Sequence, residues 1–577
     1  MPKVPYNIYR FAVYYVHLES LRVVRSPAFT TWQAQLKPQI YFLPPAFTPG
    51  LDDDREPHLT GDAALRAPQN LSAIDIPAAD KARRARAARR KATEAELAHP
   101  ETQALQSAAL AYFDAWRDTV LQRVDEALNS SAASPQPPRT RPTSPALASP
   151  SRHQSVGAAL QTLYPPLCTP LTRLAEPKRA LLLLHSTVLL LLLLSLEQYG
   201  AHSRILQLHP TSSLQLSIDA LAQMSADAEM RRQAASVGSV MGGLGLGAMA
   251  VVGYLGAVVS STVLMVDQYA REVEDFRFVS IRNFHRPRKT EEFRRLRVAI
   301  GISGWLTDKE EVVVPWRVVG PSIKGFALRR ELEALLKLGN LISIMMRGAT
   351  TVFASLSAGL WPLGFLKVSR IIDSPFSIAN VKSEKAGEVL ADALINNAQG
   401  ERPVTLIGYS LGARVIYTCL MTLAERRAFG LVESVVLVGA PTPLTVSEWR
   451  KVRRVVSGRV VNIYSTNDYI PAFLYCTSSI QYGVASLQKV QGVKGVENVD
   501  VSVLVSGHTR YRYLAGSILK KIGFEDIDMG EVARREVELK AVKEKEKKVE
   551  KKNEEIIMSW AVEKLRISSG ACFEGRR

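Results

Sequence analysis

A serine between two glycines has the spacing of an activated nucleophile in this chain. The segment Gly408-Tyr409-Ser410-Leu411-Gly412 matches G-x-S-x-G. It follows the apolar run Val404–Ile407, which we predict to be a strand, and precedes a predicted helix over Ala413–Glu425. A strand that turns sharply into a helix presents such a serine at a strained apex, beside the partial positive charge of the helix N-terminus. This context predicts that Ser410 attacks carbonyl carbon.

Such a serine needs a base, and the usual chain order is serine, then acid, then histidine. The chain has nine histidines, and only His508 follows Ser410. It lies just past the apolar run Val501–Val505, which we predict to be a strand. Active sites of α/β proteins assemble in the loops at the carboxyl ends of strands. We therefore predict that His508 is the base.

Two aspartates compete for the role of the acid that would orient the imidazole. Asp468 comes just after the predicted strand Val460–Tyr464, at a carboxyl end. Asp500 would open the predicted strand that His508 follows, so eight residues at about 3.3 Å each place it roughly 26 Å from the histidine. We therefore predict Asp468 as the acid, with a plain turn residue as the alternative.

An oxyanion hole needs two backbone N–H donors near the serine. One should be the N–H of Leu411, directly after the nucleophile. We predict the second in the loop after the strand Arg297–Ile302, at Gly304 and Trp305. The apolar stretch Leu341–Leu366 could form a lid, a helix dipping into a membrane or a plain core helix.

Short β-rich runs alternate with helix-length segments from Arg294 onward, which predicts an α/β domain with a mostly parallel sheet and helices on both faces. The predicted strands are Arg297–Ile302, Val404–Ile407, Ser434–Val438, Val460–Tyr464 and Val501–Val505.

Composition shifts divide the 577 residues into six regions. We predict a poorly ordered N-terminal region (1–80), an amphipathic helical region (81–130), a Ser/Pro-rich linker (131–156), a helical and membrane-inserted region (157–290), the α/β domain (291–524) and a charged helical tail (525–577). Phe113 and Trp116 recur at helical spacing in the second region, which favours helix packing over a ligand site.

Two apolar segments are candidates for membrane spans. Residues 233–266 contain no charged residue, and a span needs about 20 residues. Residues 180–196 are short enough to be a buried core helix instead. Residues 1–21 lack the apolar run of a secretory signal, so we expect insertion through internal segments. Basic residues outside the pair favour cytosolic ends on an intracellular membrane, whereas Arg231 and Arg232 between the segments oppose this topology.

The formal net charge is +18, but the basic residues are spread around apolar segments and in the tail. This distribution favours an anionic membrane face over a nucleic-acid groove, so we expect no nucleic-acid partner. The densest cluster, Lys81–Arg90, could equally be a solvated helix face. The four cysteines show no zinc spacing, and we expect neither a metal nor another cofactor.

Several long motifs resemble the transmembrane and coiled-coil domain-containing protein 4 family, whose fungal members are described as candidate lipases. The resemblance covers about 180–524 and is strongest in Val404–Leu420, Val435–Pro441, Val456–Asn462 and Val496–His508. It implies an α/β-hydrolase fold, membrane association and a Ser-Asp-His site on Ser410, Asp468 and His508.

Two kinds of function follow as hypotheses. The first is a membrane-associated serine hydrolase that cleaves a lipid or another acyl ester, with acyl transfer and thioester cleavage as variants of the same chemistry. The second is a scaffold or trafficking protein of the same fold with little activity, which would bind protein partners through the N-terminal region and the tail.

Overall fold

The computed structural model describes residues 98–131, 200–213, 273, 275–282, 297–340 except 322 and 338, 361–398, 402–468, 484–505 and 507–571 except 525. The region 1–80, most of the linker 131–156, residues 341–360 and both candidate membrane segments, 180–196 and 233–266, lie outside this description. None of the helices within it combines the length and apolar character that a bilayer crossing requires.

Seven strands form one sheet in the order β1-β3-β2-β4-β5-β6-β7. All neighbours are parallel except β1, which pairs antiparallel with β3 at one edge. The α/β fold with a mostly parallel sheet is therefore confirmed. The strands are β1 Arg277–Ser280, β2 Val298–Ile302, β3 Lys324–Arg329, β4 Val404–Tyr409, β5 Val432–Val438, β6 Val460–Tyr464 and β7 Val496–Asp500.

Helices cover both faces of the sheet, because the four central strands β2, β4, β5 and β6 are buried along their whole length. Alternate residues of one strand enter two separate cores, Leu406 on one face and Ile407 on the other. The described helices are α1 Pro100–Ser131, α2 Ala201–Ser213, α3 Trp361–Ile395, α4 Leu411–Glu425, α5 Val446–Val455, α6 Tyr511–Lys521 and α7 Met529–Ala571.

The last predicted strand is wrong. β7 is Val496–Asp500, whereas Val501–Val505 forms turns in which Val503 is fully exposed. The carboxylate of Asp500 accepts hydrogen bonds from the backbone N–H and the hydroxyl of Ser502, at 2.8 and 2.5 Å, and this turn ends the strand. β7 is a half-exposed edge strand with polar residues, so apolar periodicity favours the wrong five residues.

Two strands at the other edge, β1 and β3, were not predicted. Phe278 of β1 and Phe326 of β3 pack edge to face, with ring centroids 6.3 Å apart. β1 lies before residue 291, where we predicted the α/β domain to begin, so the sheet starts earlier along the chain than expected.

The helix predicted over 81–130 is described from Pro100 onward, and its aromatic residues pack against α2. Phe113 and Trp116 are buried, and their rings lie 5.3 and 5.4 Å from the His202 ring. The Trp116 indole also donates a hydrogen bond to Ser203 Oγ at 3.2 Å. Burial, and then the charge of Arg453, lower the pKa of His202 to about 4, so this ring is neutral at pH 7.

A buried ionic group joins α2 to the amino ends of the strands. Glu433 has no exposed surface, and its carboxylate accepts a hydrogen bond from Arg297 Nε at 3.0 Å. Arg204 of α2 lies 4.0 Å from the other carboxylate oxygen. Because an unpaired charge at this depth would be strongly destabilising, these contacts fix α2 on the sheet.

The charged tail is helical from Met529 to Ala571. Asp528 caps this helix by accepting the N–H groups of Gly530 and Glu531 at 3.1 and 3.2 Å. Val532 and Leu539 are buried in the core that also contains α6, whereas most described side chains from residue 540 onward are exposed. The first three turns therefore belong to the domain.

Candidate active site

Ser410 lies in a strained turn between β4 and α4. Its φ of 55° and ψ of −129° are unfavourable for a residue with a Cβ atom. A Cβ atom on Gly412 would lie 2.0 Å from the carbonyl oxygen of Ile302, and one on Gly408 would lie 2.8 Å from the backbone of Gly412. The two glycines of the motif are therefore required for strand and helix to pack around the serine.

His508 and Asp468 lie with Ser410 at the carboxyl edge of the sheet. His508 Nε2 is 2.6 Å from Ser410 Oγ, and His508 Nδ1 is 2.7 Å from Asp468 Oδ2. All three side chains are at most 4% exposed. The structure thus brings together the serine, the histidine and the aspartate named from the sequence, in the order that nucleophile activation requires.

The premise that excluded Asp500 is wrong, although His508 pairs with Asp468. Because β7 ends at Asp500, this residue lies at the same edge of the sheet as the site and not at the opposite one. Its exposed carboxylate is bonded to Ser502, which lowers the pKa of Asp500. The estimate of 26 Å failed because the strand was placed five residues too late.

Tyr511 supports the histidine and was not identified from the sequence. Its ring packs edge-on against the His508 ring with centroids 5.4 Å apart, and the residue is 1% exposed. Burial, and then the nearby Asp468 carboxylate, raise the pKa of Tyr511 well above its usual value. The phenol therefore stays protonated beside the aspartate at neutral pH.

The loop after β2 lies directly against the nucleophile turn. A Cβ atom on Gly304 would be 2.6 Å from Ser410 Cβ and 2.9 Å from the backbone nitrogen of Leu411. The two backbone positions predicted to form an oxyanion hole are thus in contact. Trp305, the next residue, is buried, and the Arg512 guanidinium lies 5.1 Å from the centroid of its ring.

A charged clasp closes this loop. Glu311 accepts hydrogen bonds from the N–H and hydroxyl of Thr307 at 2.7 and 2.6 Å. Arg512 Nη1 donates to Glu311 Oε1 at 2.5 Å and to Thr307 Oγ1 at 2.6 Å. Since Arg512 lies four residues after His508, the clasp connects the histidine segment to the Gly304 loop. Nothing in the spacing of these residues along the sequence indicates this pairing.

Ser303 fixes the other end of the loop. Its hydroxyl donates to the carbonyl of Glu311 at 3.0 Å and accepts from the Trp316 indole at 3.1 Å. The Trp316 ring stacks on Tyr409, the residue before the nucleophile, with centroids 5.6 Å apart. Within the described ranges, no group of histidine, cysteine, aspartate or glutamate side chains could hold a metal ion.

Three curated relatives match parts of this chain. An uncharacterized membrane protein, C6F6.13c, of Schizosaccharomyces pombe is 44% identical over 41% of the chain and 44% of its own length. The transmembrane and coiled-coil domain-containing protein STS1 of Oryza sativa subsp. japonica is 40% identical over 40% of the chain and 36% of its own length. The probable lipase MIL1 of Saccharomyces cerevisiae is 35% identical over 46% of the chain and 26% of its own length.

The chain thus spans less than half the length of each of these relatives. No solved structure matches it significantly. The family model described as "Protein of unknown function (DUF726)" matches residues 221–525, which is more than half of the chain and includes β1 to β7 and all three side chains at the strained turn. On this evidence the chain belongs to the DUF726 family.

Proposed function

We propose that this protein is a serine hydrolase of the α/β-hydrolase fold that cleaves a carboxylic ester, with Ser410, His508 and Asp468 as its catalytic residues. The observation that carries the proposal is the continuous hydrogen-bonded series from Ser410 Oγ to His508 Nε2 at 2.6 Å and from His508 Nδ1 to Asp468 Oδ2 at 2.7 Å. The strained φ of Ser410 and the order of the three residues along the chain support the same assignment.

In this mechanism the hydroxyl of Ser410 attacks the ester carbonyl carbon while His508 Nε2 accepts its proton. The tetrahedral intermediate then collapses, the bond to the alcohol oxygen breaks, and the imidazolium returns the proton to the departing alcohol. A water molecule, deprotonated by the same nitrogen, attacks the acyl-serine and releases the carboxylic acid. The proton on Nδ1 stays in its hydrogen bond to Asp468, which orients the ring and stabilises its cationic form.

The oxyanion is stabilised by backbone N–H groups at the strained turn. The N–H of Leu411 opens α4, where the partial positive charge of the helix adds to the donor. The Gly304 loop supplies the second donor in this proposal, and the contacts of a Cβ atom built on Gly304 show how little space separates the loop from Ser410. The Glu311–Arg512 clasp would hold this loop in place before substrate arrives.

A lipid ester at a membrane is the substrate class that the relatives favour. One relative is named a probable lipase, and others are named membrane proteins. The apolar segments 180–196 and 233–266 of this chain are consistent with attachment to a bilayer, with the catalytic domain on the cytosolic side. We therefore place the proposed hydrolase at an intracellular membrane surface.

A second role in binding protein partners is favoured by α7. Beyond its buried start the helix carries mainly exposed, charged side chains in 541–552. A helix of this kind offers a surface for ionic contacts with another protein, and this role is compatible with catalysis.

The test is labelling of the full-length protein in detergent with a fluorophosphonate, which reacts with activated serines. We expect the wild type to be labelled and Ser410→Ala to lose labelling entirely. Ser517→Ala, which removes a hydroxyl on α6 that donates to Glu536, is the matched control and should label like the wild type. A folded wild-type protein that is not labelled, or a Ser410→Ala variant that is, would refute the proposal.

A further inference from the structure

A buried arginine near the candidate site has no partner. Arg330 follows β3 and is 1% exposed, and none of its three guanidinium nitrogens has a hydrogen-bond partner among the residues that the structure describes. Burial lowers the pKa of Arg330 to about 10, and Glu331 opposes this effect, so the side chain is still positive at pH 7. An uncompensated buried charge costs several kcal/mol, so packing alone does not explain an arginine at this position.

The register of the sheet places Arg330 level with Ser410. Gly301 of β2 pairs with Ala327 of β3 on one side and with Ile407 of β4 on the other. Arg330 and Ser410 each lie three residues beyond these matched positions, toward the same edge. Since β2 is the one strand between β3 and β4, the two backbones are about 10 Å apart.

The segment that begins with Arg330 also contacts the Gly304 loop. The carbonyl of Leu335 accepts a hydrogen bond from the N–H of Leu306 at 3.3 Å. A Cβ atom on Gly339 would lie 1.8 Å from the carbonyl oxygen of Leu306. Arg330 therefore begins a wall of the candidate site and is not a distant core residue.

Neighbouring cations of this wall have carboxylate partners. Lys382 Nζ lies 2.5 Å from Glu331 Oε2, and Arg414, in the first turn of α4, donates to Glu384 at 2.6 Å. Glu331 has an unfavourable φ of 43°, so the backbone bends sharply just after Arg330. Because Glu331 is shared with Lys382, the charge of Arg330 remains available for an anion that the protein does not supply.

We propose that Arg330 binds the phosphate of a glycerophospholipid whose acyl ester is attacked by Ser410, an inference that rests on the proposed function. The planar guanidinium matches the oxygen geometry of phosphate and can donate two parallel hydrogen bonds to it. In a glycerophospholipid the phosphate is joined to the acyl ester through the glycerol carbons, which suits two groups about 10 Å apart along the backbone register.

Other lipid esters fit this arrangement less well. A neutral glyceride has no anion to pair with Arg330. A fatty acid carries its charge on the carboxyl group itself, which is the group held at Ser410. Ser410 is only 4% exposed, so any acyl substrate requires an opening over this edge of the sheet, and the level position of Arg330 gives a phosphate the same access.

The experiment compares hydrolysis of phosphatidylcholine and diacylglycerol by the full-length protein in the same mixed micelles. We expect wild type to prefer the phospholipid and Arg330→Met to lower the ratio of the two kcat/KM values about 100-fold, as the loss of two charge-assisted hydrogen bonds implies. Its melting temperature should not fall, because an unpaired buried charge has been removed. Arg317→Met, which removes an exposed arginine of the same domain, should leave the ratio unchanged.

The outcomes separate this proposal from the proposed function. A wild type that hydrolyses diacylglycerol but not phospholipid overturns the role of Arg330 and leaves the serine hydrolase intact. Equal loss on both substrates with a lower melting temperature assigns Arg330 to the fold and also overturns it. A wild type that cleaves neither lipid and takes no fluorophosphonate label overturns both. If inorganic phosphate raises the melting temperature as much as a non-hydrolysable ether phospholipid does, the site holds free phosphate and the substrate assignment is wrong.

Discussion

Replacing Gly304 with alanine places a methyl group at the point where the Gly304 loop meets the nucleophile turn. The added carbon would lie 2.6 Å from both Ser410 Cβ and the carbonyl oxygen of Tyr409, and 2.9 Å from the nitrogen of Leu411. Two of these three neighbours are backbone atoms, which cannot rotate away as a side-chain tip can. The loop must therefore move, or the methyl group must occupy the space that the oxyanion would take.

The expected cost can be divided between stability and catalysis. Overpacking of a tightly packed position costs about 1–3 kcal/mol of folding free energy. Loss of one oxyanion donor lowers kcat by about 10²–10³-fold, equivalent to about 3–4 kcal/mol of transition-state stabilisation. We therefore expect Gly304→Ala to fold with a modestly lower melting temperature and to lose more than 99% of its turnover on an ester.

The assay is turnover of a soluble chromogenic ester together with thermal unfolding of the full-length protein. Gly325→Ala in β3 is the matched control, because its added methyl group would meet the movable terminal carbon of Ile281 at 2.8 Å, away from the site. We expect the control to keep activity within about threefold of wild type, in line with an ordinary packing change. A stable Gly304→Ala variant with wild-type turnover would show that the loop after β2 does not form the oxyanion hole.

Three further predictions concern single side chains. Asp468→Asn should lower kcat about 10⁴-fold by favouring the wrong imidazole tautomer, while Asp500→Asn should retain activity; similar kcat values for the two variants would contradict the assignment of the acid. Arg512→Gln breaks the ion pair with Glu311 and should lower kcat about tenfold or more with little change in KM; a rise in KM alone would contradict a role in holding the loop. Because the pKa of His202 is about 4 in the folded chain and about 6.5 when unfolded, its stabilising effect is complete above pH 6.5 and is lost as pH falls toward 4, by up to about 3 kcal/mol. Melting curves between pH 7 and 4 should show this loss, and His202→Gln should flatten the curve.

The central part of the fold was predictable because its strands are apolar and uniformly buried. β2, β4, β5 and β6 appear within two residues of their predicted bounds. The turn around Ser410 was predictable for a different reason, since two glycines between a strand and a helix leave few ways to pack. The single histidine after Ser410 then limited the choice of base to His508.

The edges of the sheet could not be predicted in the same way. β1, β3 and β7 are half-exposed, so polar residues interrupt the apolar pattern on which strand prediction depends. Asp468 was chosen correctly as the neighbour of His508, although the distance used to exclude Asp500 was wrong. Tyr511 and the Glu311–Arg512 clasp depend on contacts between distant segments, and single-sequence periodicity carries no information on such contacts.

The seating of α1 and α2 on the C-terminal half has a consequence for the order of events during synthesis. Arg454 donates to Gln106 across 348 positions of sequence, and Glu433 shares its charge with Arg204 of α2. The two N-terminal helices leave the ribosome long before the strands that receive them, so they must stay without their partners until β5 and α5 emerge. Such non-local closure slows folding and leaves Phe113 and Trp116 exposed in the meantime, where a chaperone would bind them. A fragment that begins at residue 291 would lack Arg204 and would bury Glu433 with only one of its two arginines.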